Sequence, residues 1–297
     1  MNRKALNLCL TIPTVLLGLV LMVGVLTSVN LVRIAKESIA HSRRYVIRYL
    51  EYRDTQPVSP KELNLTTPIS PTEVIREMLG QVDRDRALND LRRLTGEEPI
   101  CVSAGCYTIT NRLTGGEGLG WAMDYLYENL AALGYSVESQ GWSRSGYTDQ
   151  NLIARKAGVL TPTEEIYLVA HVDGVKPSQE RYPAADDNAS SVVNGLELAR
   201  IFSKHLFGRT LILFFSTGEE QGTLGVKDYL ARLSPDGLSA IKYVINRDMT
   251  GYDANGDRVM ELVHGDHPPT VALAQVMSQT IDTFQLDLDQ RIIVGCP

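Results

Sequence analysis

The stretch from Leu211 to Glu220, LILFFSTGEE, indicates the fold class of this chain. Its first five residues are apolar and uncharged, which is typical of a strand buried on both faces of a sheet. Two carboxylates, Glu219 and Glu220, follow at the carboxyl end of the strand, where open α/β sheets bind their ligands. The stretch therefore predicts a central strand that leads an acidic pair into a functional site.

Two other apolar runs are followed by residues of types that commonly bind metals. The run 166–170 leads to His171, and the run 243–245 leads to Asp248. A second acidic pair, Asp186-Asp187, precedes a helical stretch. Because mixed imidazole and carboxylate ligands suit zinc, the convergence of these groups on one edge of a sheet predicts a zinc site.

Asp173 lies two residues beyond His171 and is expected to take part in the site. Its carboxylate can bend back and hold the second ring nitrogen of His171, as outer partners of metal ligands do. Each group also has an ordinary reading, since Asp186-Asp187 can cap the following helix and Asp248 can pair with Arg247. Because each apolar run is followed by an acidic group or a histidine, a shared metal site is favoured over these separate interpretations.

Strands and helices alternate through most of the chain. A serine cap, a proline and a capping-box glutamate at 70–73 begin a helix whose apolar spacing continues to Gly96. A second helix is predicted from 117 to 133, with Gly134 as its stop. Strands are predicted near 150–156, 165–172, 209–216, 241–248 and 258–263, and helices near 188–205, 222–233 and 269–284. This alternation predicts a three-layer α/β domain.

The N-terminal segment from 5 to 32 contains no charged residue. It is long enough to cross a bilayer as a helix and longer than the apolar core of a signal peptide, so an uncleaved anchor is favoured over a cleaved signal. Basic residues on both flanks leave its orientation open. The chain is thus divided into an anchor or signal segment at 1–35, a polar stalk at 36–70 and a globular domain at 71–297.

The composition limits the partners of the protein. The chain has 297 residues, a net charge of −6 and 44% hydrophobic residues, which suffices for one large domain with a core. The acidic balance provides no basic patch and argues against a nucleic acid partner. Four cysteines are too few for a disulfide scaffold, although Cys101 and Cys106 could close a local bridge.

The order of motifs resembles the M28 zinc aminopeptidases. The matching segments are AHVD at 170–173, PAADDNAS at 183–190, TGEEQ at 217–221 and RDMT at 247–250. The resemblance extends from about Leu94 to Asp248, roughly half of the chain, and the set is specific although each motif alone is not. It implies a three-layer α/β/α fold of the zinc-dependent exopeptidase type, with a central mixed, mostly parallel twisted sheet.

The resemblance also implies a role for each site residue. Asp187 would bridge two zinc ions, His171 and Asp248 would complete one site, and Glu220 would bind the other ion. Glu219 would be the general base that takes a proton from the metal-bridging water. The implied substrates are the N-termini of peptides or proteins, and the implied location is membrane-anchored or secreted, with the catalytic domain outside the cytoplasm.

The sequence departs from the family pattern at three places. Ala184 and Ser191 stand where the family usually has glycine, and both are small. The family's second zinc also needs a histidine well beyond the Asp248 motif, but only His264 and His267 follow here, and both are interpreted as loop residues. The expectation is a C-terminally truncated chain whose second zinc site is incomplete, and which binds at most one zinc well and is inactive as a peptidase.

Two other functions are compatible with the same fold. The first is a non-catalytic ectodomain used for binding or adhesion, which would have no physical reason to keep Glu219 beside a metal. The second is a glutaminyl-cyclase-like acyltransferase with one zinc. It ranks behind the others because those relatives depart from the double glutamate and the Asp-Asp-Asn-Ala-Ser pattern.

Overall fold

The computed structural model describes residues 71–175, 181–265 and 267–295. The predicted anchor and stalk lie outside these residues, and so does the start of the first predicted helix at Ser70. Within the described ranges, no helix combines the length and apolar character that crossing a bilayer requires. The described chain forms two compact units, one of residues 82–254 and one of residues 71–81 and 255–295.

The first unit contains a mixed five-stranded sheet and a small hairpin. The hairpin strands are β1 (Ile100–Val102) and β2 (Gly105–Tyr107), and the sheet strands are β3 (Ser136–Arg144), β4 (Tyr147–Lys156), β5 (Thr161–His171), β6 (Arg209–Ser216) and β7 (Ile241–Asn246). The order in the sheet is β3-β4-β6-β5-β7. β5 runs parallel to β6 and β7, whereas β4 runs antiparallel to β3 and β6. The predicted α/β fold with a mixed sheet is confirmed, with parallel and antiparallel pairings in equal number in this sheet.

Strand β3 was not predicted, and the reason lies in its surroundings. Most of its side chains are exposed and only Trp142 is fully buried. A strand with so few buried positions needs no apolar run, and its sequence contains none. It is joined to β4 by Ser145 and Gly146, which both have positive φ angles, 54° and 83°. Such two-residue turns match the twist of antiparallel strands. The hairpin, and not apolar periodicity, therefore makes 136–144 a strand.

Seven helices occur in the described residues. They are α1 (Pro71–Leu79), α2 (Arg84–Leu94), α3 (Glu117–Ala132), α4 (Ser191–Phe202), α5 (Leu224–Arg232), α6 (Pro235–Ala240) and α7 (Pro268–Phe284). The helical spacing predicted from 71 to Gly96 is broken between α1 and α2. Asp83 caps α2 there, because its side chain accepts a hydrogen bond from the backbone N–H of Arg86 at 3.0 Å.

Strand β6 lies at the centre of the first unit, and its residues are buried from Thr210 to Ser216. Phe214 packs in a cluster with Ile153 and Tyr167 that Val226 and Tyr229 of α5 cover. The next residue, Phe215, faces Gly195 of α4. Because successive side chains point to opposite faces of a strand, α4 and α5 cover opposite faces of the sheet. The apolar run at 211–215 is thus buried on both faces, as predicted.

The second unit is a β-α-β arrangement. Strands β8 (Val259–His264) and β9 (Asp289–Val294) are parallel neighbours, and α7 connects them. The guanidinium of Arg76 in α1 lies 5.7 Å from the centre of the Phe284 ring. His264 is the last residue of β8, paired with Val294, so its interpretation as a loop residue was wrong. His267 lies directly before α7 as its N-cap residue.

Cys101 and Cys106 form a disulfide across the β1–β2 hairpin, as the sequence suggested. The hairpin belongs to the first unit and leads to the segment 108–116. That segment returns the chain to the carboxyl edge of the sheet: Thr110 accepts a backbone hydrogen bond from Tyr182, and Arg112 accepts one from Gly174.

Candidate metal centre

His171 is the last residue of β5 and lies at the carboxyl edge of the sheet, with 4% of its side chain exposed. Its Nε2 atom lies 3.1 Å from Oδ1 of Asp187 and 3.5 Å from Oδ1 of Asp248. These three side chains form a cluster in which one ligand atom of each lies within 4.8 Å of the others. An imidazole nitrogen and two carboxylate oxygens are a normal protein complement for a catalytic zinc.

A second cluster uses the same histidine. His171, Glu219 and Glu220 also bring one ligand atom each within 4.8 Å of the others. The glutamates follow β6, whose Ser216 is paired with His171 across the parallel ladder. The carboxyl ends of neighbouring parallel strands therefore place the predicted ligands and the predicted base at one edge, as the sequence indicated.

Asp173 contacts both the histidine ring and the glutamate turn. Nδ1 of His171 lies 3.1 Å from the backbone oxygen of Asp173 and 3.7 Å from its carboxylate, so the backbone oxygen is the nearer partner of the ring. The buried carboxylate also accepts the backbone N–H groups of Glu219 at 3.3 Å and Glu220 at 3.2 Å. It further accepts the hydroxyl of Thr114 at 3.2 Å. The contacts with the glutamate turn were not predicted, because these donors come close to Asp173 only in the folded sheet.

Asn188 connects the two loops that carry Asp187 and Asp248. Its side-chain amide donates to the backbone oxygen of Arg247 at 3.0 Å, and its oxygen accepts the N–H of Met249 at 3.3 Å. These bonds hold the loop after β7 on both sides of Asp248. The peptide bond between Asp187 and Asn188 is cis.

The two members of the Asp186-Asp187 pair do different work. Asp186 accepts hydrogen bonds from the N–H of Gly251 at 3.0 Å and from the hydroxyl of Ser190 at 3.2 Å, which makes it a loop-fixing group. Asp187 lies against His171. Neither aspartate caps the helix that follows, because its start has no side-chain cap hydrogen bond, so the capping interpretation was wrong. The second aspartate is the candidate ligand.

Trp142, which no sequence motif indicated, supports the turn before Glu219. Gly218 has a φ of +71°, and a Cβ atom placed on it would lie 2.6 Å from the Trp142 ring. The Trp142 indole donates to the Thr217 hydroxyl at 2.9 Å, and the Asn151 side chain accepts the Thr217 N–H at 3.2 Å. The glycine in the TGEEQ motif was the available signal, because glycine is the residue that permits a left-handed conformation and a close approach of another side chain.

The cluster holds an excess of negative charge. Burial acts to lower the pKa of His171, but the hydrogen bonds and charges of Asp173 and Asp248 outweigh it and raise that pKa to about 10. Burial, followed by the charge of Asp187, raises the pKa of Glu220 to about 7. Burial also raises the pKa of Glu219. Oε1 of Glu220 is buried and has no hydrogen-bond partner among the described residues.

These observations fit a divalent cation. Carboxylates that raise one another's pKa are stabilised by a positive ion between them. A buried carboxylate oxygen without a donor is costly unless a cation satisfies it. The donor set of one imidazole and several carboxylates is one that zinc accepts.

The chain is similar to known zinc metalloproteases and aminopeptidases. Residues 151–291 match the sequence model of Peptidase family M28. The chain is 26% identical over 211 residues to a probable zinc metalloprotease of Pyrenophora teres f. teres, covering 64% of this chain and 41% of that protein. It is 25% identical over 225 residues to a probable leucine aminopeptidase of Trichophyton verrucosum, covering 70% of this chain and 55% of that protein. The chain thus spans about half the length of these relatives.

Solved structures share the fold. The Legionella pneumophila LapA aminopeptidase aligns with a TM-score of 0.58 and 20% identity, over 82% of this chain and 61% of that chain. A Macrostomum lignano glutaminyl cyclase aligns with a TM-score of 0.57 and 17% identity, over 81% of this chain and 77% of that chain. At these identities the likeness establishes the fold, which hydrolases and cyclases both use.

Proposed function

We propose that this protein, whose residues 151–291 match the sequence model of Peptidase family M28, is a zinc-dependent aminopeptidase that releases residues from the N-termini of peptides. The observation that carries the proposal is the position of Glu219, whose carboxylate lies beside His171 and Glu220 in the candidate metal cluster, where it can accept a proton from a metal-bound water. A binding-only protein has no physical reason to hold a base there. Zinc metalloproteases and aminopeptidases among the relatives support the same activity.

His171, Asp187 and Asp248 would hold one zinc ion, and Glu220 with Asp187 would contribute to a second. Bound zinc polarises a scissile carbonyl and lowers the pKa of a coordinated water. The described part of the chain brings one histidine to the cluster. The second ion therefore remains a proposal, together with its further histidine.

Glu219 is proposed as the general base that takes a proton from the attacking water and passes it to the leaving amine. Its backbone N–H is fixed by Asp173, and Gly218 and Trp142 set the turn that presents its side chain. Burial raises its pKa, which strengthens its carboxylate as a proton acceptor. The chain thus supplies the base on a firmly held turn.

The cyclase alternative uses the same fold and predicts a different product. A glutaminyl cyclase would convert an N-terminal glutamine into a ring with release of ammonia, without cleaving a peptide bond. The double glutamate and the Asp-Asp-Asn-Ala-Ser segment favour the peptidase. Incubation with a peptide that begins with glutamine, followed by mass spectrometry, separates ring closure from loss of the first residue.

Glu219→Gln in the full-length protein tests the proposal. We expect peptide hydrolysis to fall by about 100-fold or more, because proton-transfer catalysis is worth about 10²–10⁴-fold. Zinc content, measured by mass spectrometry of the metal, should stay at the wild-type level. Glu138→Gln on the exposed face of β3 is the matched control and should keep full activity. Retention of more than about a tenth of the turnover in the Glu219 variant would contradict the role.

We also propose that the uncharged segment 5–32 anchors the protein in a membrane, with the peptidase domain outside the cytoplasm. The support is the sequence pattern alone. Carbonate washing of membranes tests it, since an anchored protein stays in the pellet. Recovery of soluble protein whose N-terminus begins beyond Thr27 would identify a cleaved signal instead.

A further inference from the structure

We propose that Arg112 is a positioning residue that sets the separation of His171 and Asp187, and thereby the zinc affinity of the cluster. The inference rests on the proposed zinc chemistry and adds to it a residue outside the predicted ligands and base. Arg112 lies in the segment between β2 and α3, and 1% of it is exposed.

The guanidinium of Arg112 donates to four backbone oxygens. Nε donates to Val172 at 2.7 Å, and Nη1 donates to Leu94 at 2.6 Å and to Pro183 at 2.9 Å. Nη2 donates to Ala184 at 2.8 Å. One planar group therefore joins the segment that follows β5, at Val172, to the segment that leads to Asp187, at Pro183 and Ala184.

Three of these carbonyls belong to the two ligand-bearing segments, and the fourth, that of Leu94, ends α2. Val172 directly follows His171, and Ala184 lies three residues before Asp187. The backbone adds to the connection, since Gly174 donates to the oxygen of Arg112 at 2.9 Å. A displacement of the guanidinium would shift His171 and Asp187 relative to each other, although Arg112 touches neither side chain by hydrogen bond.

Ala184, which accepts one of these hydrogen bonds, has an unusual backbone conformation. It has φ 45° and ψ 47°, a left-handed conformation that side chains disfavour, and its oxygen accepts both the Arg112 guanidinium and the N–H of Ala189. The turn that carries Asp187 therefore begins at a residue held in an unfavourable conformation by hydrogen bonds. Arg112 supplies one of them.

The geometry requires arginine and not simply a positive charge. Four oxygens around one plane match the fork of N–H donors on a guanidinium. Lysine keeps the charge but has a compact ammonium with three donors, so it cannot reach all four carbonyls. Lysine at 112 therefore separates the effect of charge from that of hydrogen-bond geometry.

The test measures zinc affinity by competition with a chromophoric chelator in the wild type, Arg112→Lys and Arg112→Ala. We expect both variants to bind zinc about 10–100-fold more weakly, as for other outer partners of metal ligands. Added guanidinium ions should restore part of the affinity of Arg112→Ala, and equal sodium chloride should not. Arg155→Lys is the matched control, because Arg155 pairs with Glu165 in an exposed contact far along β5 from His171.

The rise in melting temperature on zinc addition gives a second readout. A merely structural role would lower the melting temperatures of the metal-free and zinc-bound forms equally and leave the increment unchanged. Wild-type affinity and increment in Arg112→Lys would overturn the inference, and so would failure of both variants to fold. A wild-type protein that binds no zinc would instead contradict the proposed function.

Discussion

Two buried arginines, in the segments 110–116 and 246–250, have opposite surroundings. Arg112 donates to four backbone oxygens. Arg247 is also buried, but none of its three guanidinium nitrogens has a hydrogen-bond partner among the described residues. Burial lowers the pKa of each arginine to about 10, and only for Arg112 do nearby carboxylates, Asp173 and Asp187, oppose that effect.

The comparison shows that two arginines can both be buried although only one of them forms side-chain hydrogen bonds. Both guanidinium groups lose their hydration, but only Arg112 regains hydrogen bonds for it. The segment around Arg247 contributes through its backbone, whose N–H donates to Val169 at 3.0 Å and whose oxygen accepts Asn188 at 3.0 Å. The Asp248 loop is thus held through its backbone, partly by the Asn188 side chain, whereas the segments of His171 and Asp187 are joined by the Arg112 guanidinium. Replacement of Arg112 should therefore lower the free energy of unfolding, whereas replacement of Arg247 should leave it unchanged or increase it.

The largest expected effect on stability is that of Arg112→Met. The change leaves four carbonyl oxygens without their donor, and removal of one partner from a buried charged contact costs about 3–5 kcal/mol. Urea denaturation followed by circular dichroism measures the loss. A variant within about 1 kcal/mol of the wild type would show that the four bonds add little to the fold.

Zinc affinity should increase steeply with pH, because protons compete with the metal for the same atoms. Glu220 and His171 have pKa values raised to about 7 and about 10 in the metal-free protein, so both carry a proton below pH 7. Below pH 7, binding of both ions would release two protons in total, one from His171 and one from Glu220, and above pH 7 only the proton of His171 would leave. Each released proton makes the affinity of its own ion rise about tenfold per pH unit.

Both arginines remain charged across this range, so the pH slope belongs to the cluster and not to the buried cations. Calorimetry in buffers of different ionisation enthalpy counts the protons released. Glu220→Gln should remove one proton from the count below pH 7. An affinity that is independent of pH between 6 and 8 would contradict the assignment of these two groups.

Arg247→Met should leave the free energy of unfolding unchanged or increase it. The substitution removes a buried charge without leaving a hydrogen-bond partner unsatisfied, and apolar replacement of buried charges is often neutral or stabilising by about 1–4 kcal/mol. We expect the lower part of that range, because methionine is shorter than arginine and leaves some space unfilled. A loss of more than about 2 kcal/mol would reveal a partner for Arg247 that stabilises the fold.

The smallest expected effect is that of Ala184→Gly, at the oxygen that Arg112 holds. Glycine adopts the left-handed conformation of residue 184 without penalty, so we expect a gain of about 1 kcal/mol. Ala231→Gly in α5 is the control and should lose about 0.5–1 kcal/mol, because glycine weakens a helix. Destabilisation by Ala184→Gly would mean that the alanine methyl group contributes packing that outweighs its strain.

Local pattern predicted the strands that carry the site. The runs at 166–170 and 211–215 became β5 and β6, and the side chains that follow them meet at one edge. The sequence did not predict β3, which lacks an apolar run, or the break between α1 and α2. Asp173 lies beside the histidine ring as predicted, and its carboxylate also accepts the N–H groups of the glutamate turn, which the sequence did not predict.

The sequence by itself determined which residues come together in the candidate metal cluster, because apolar runs followed by charged residues specify buried strands and their polar ends. Only the tertiary structure decided how these residues are held. Arg112 meets three of its four carbonyl partners across 60 to 72 residues of chain, and Trp142 meets Thr217 across 75. No local periodicity encodes such contacts, since they depend on how separate segments return to the same edge of the sheet.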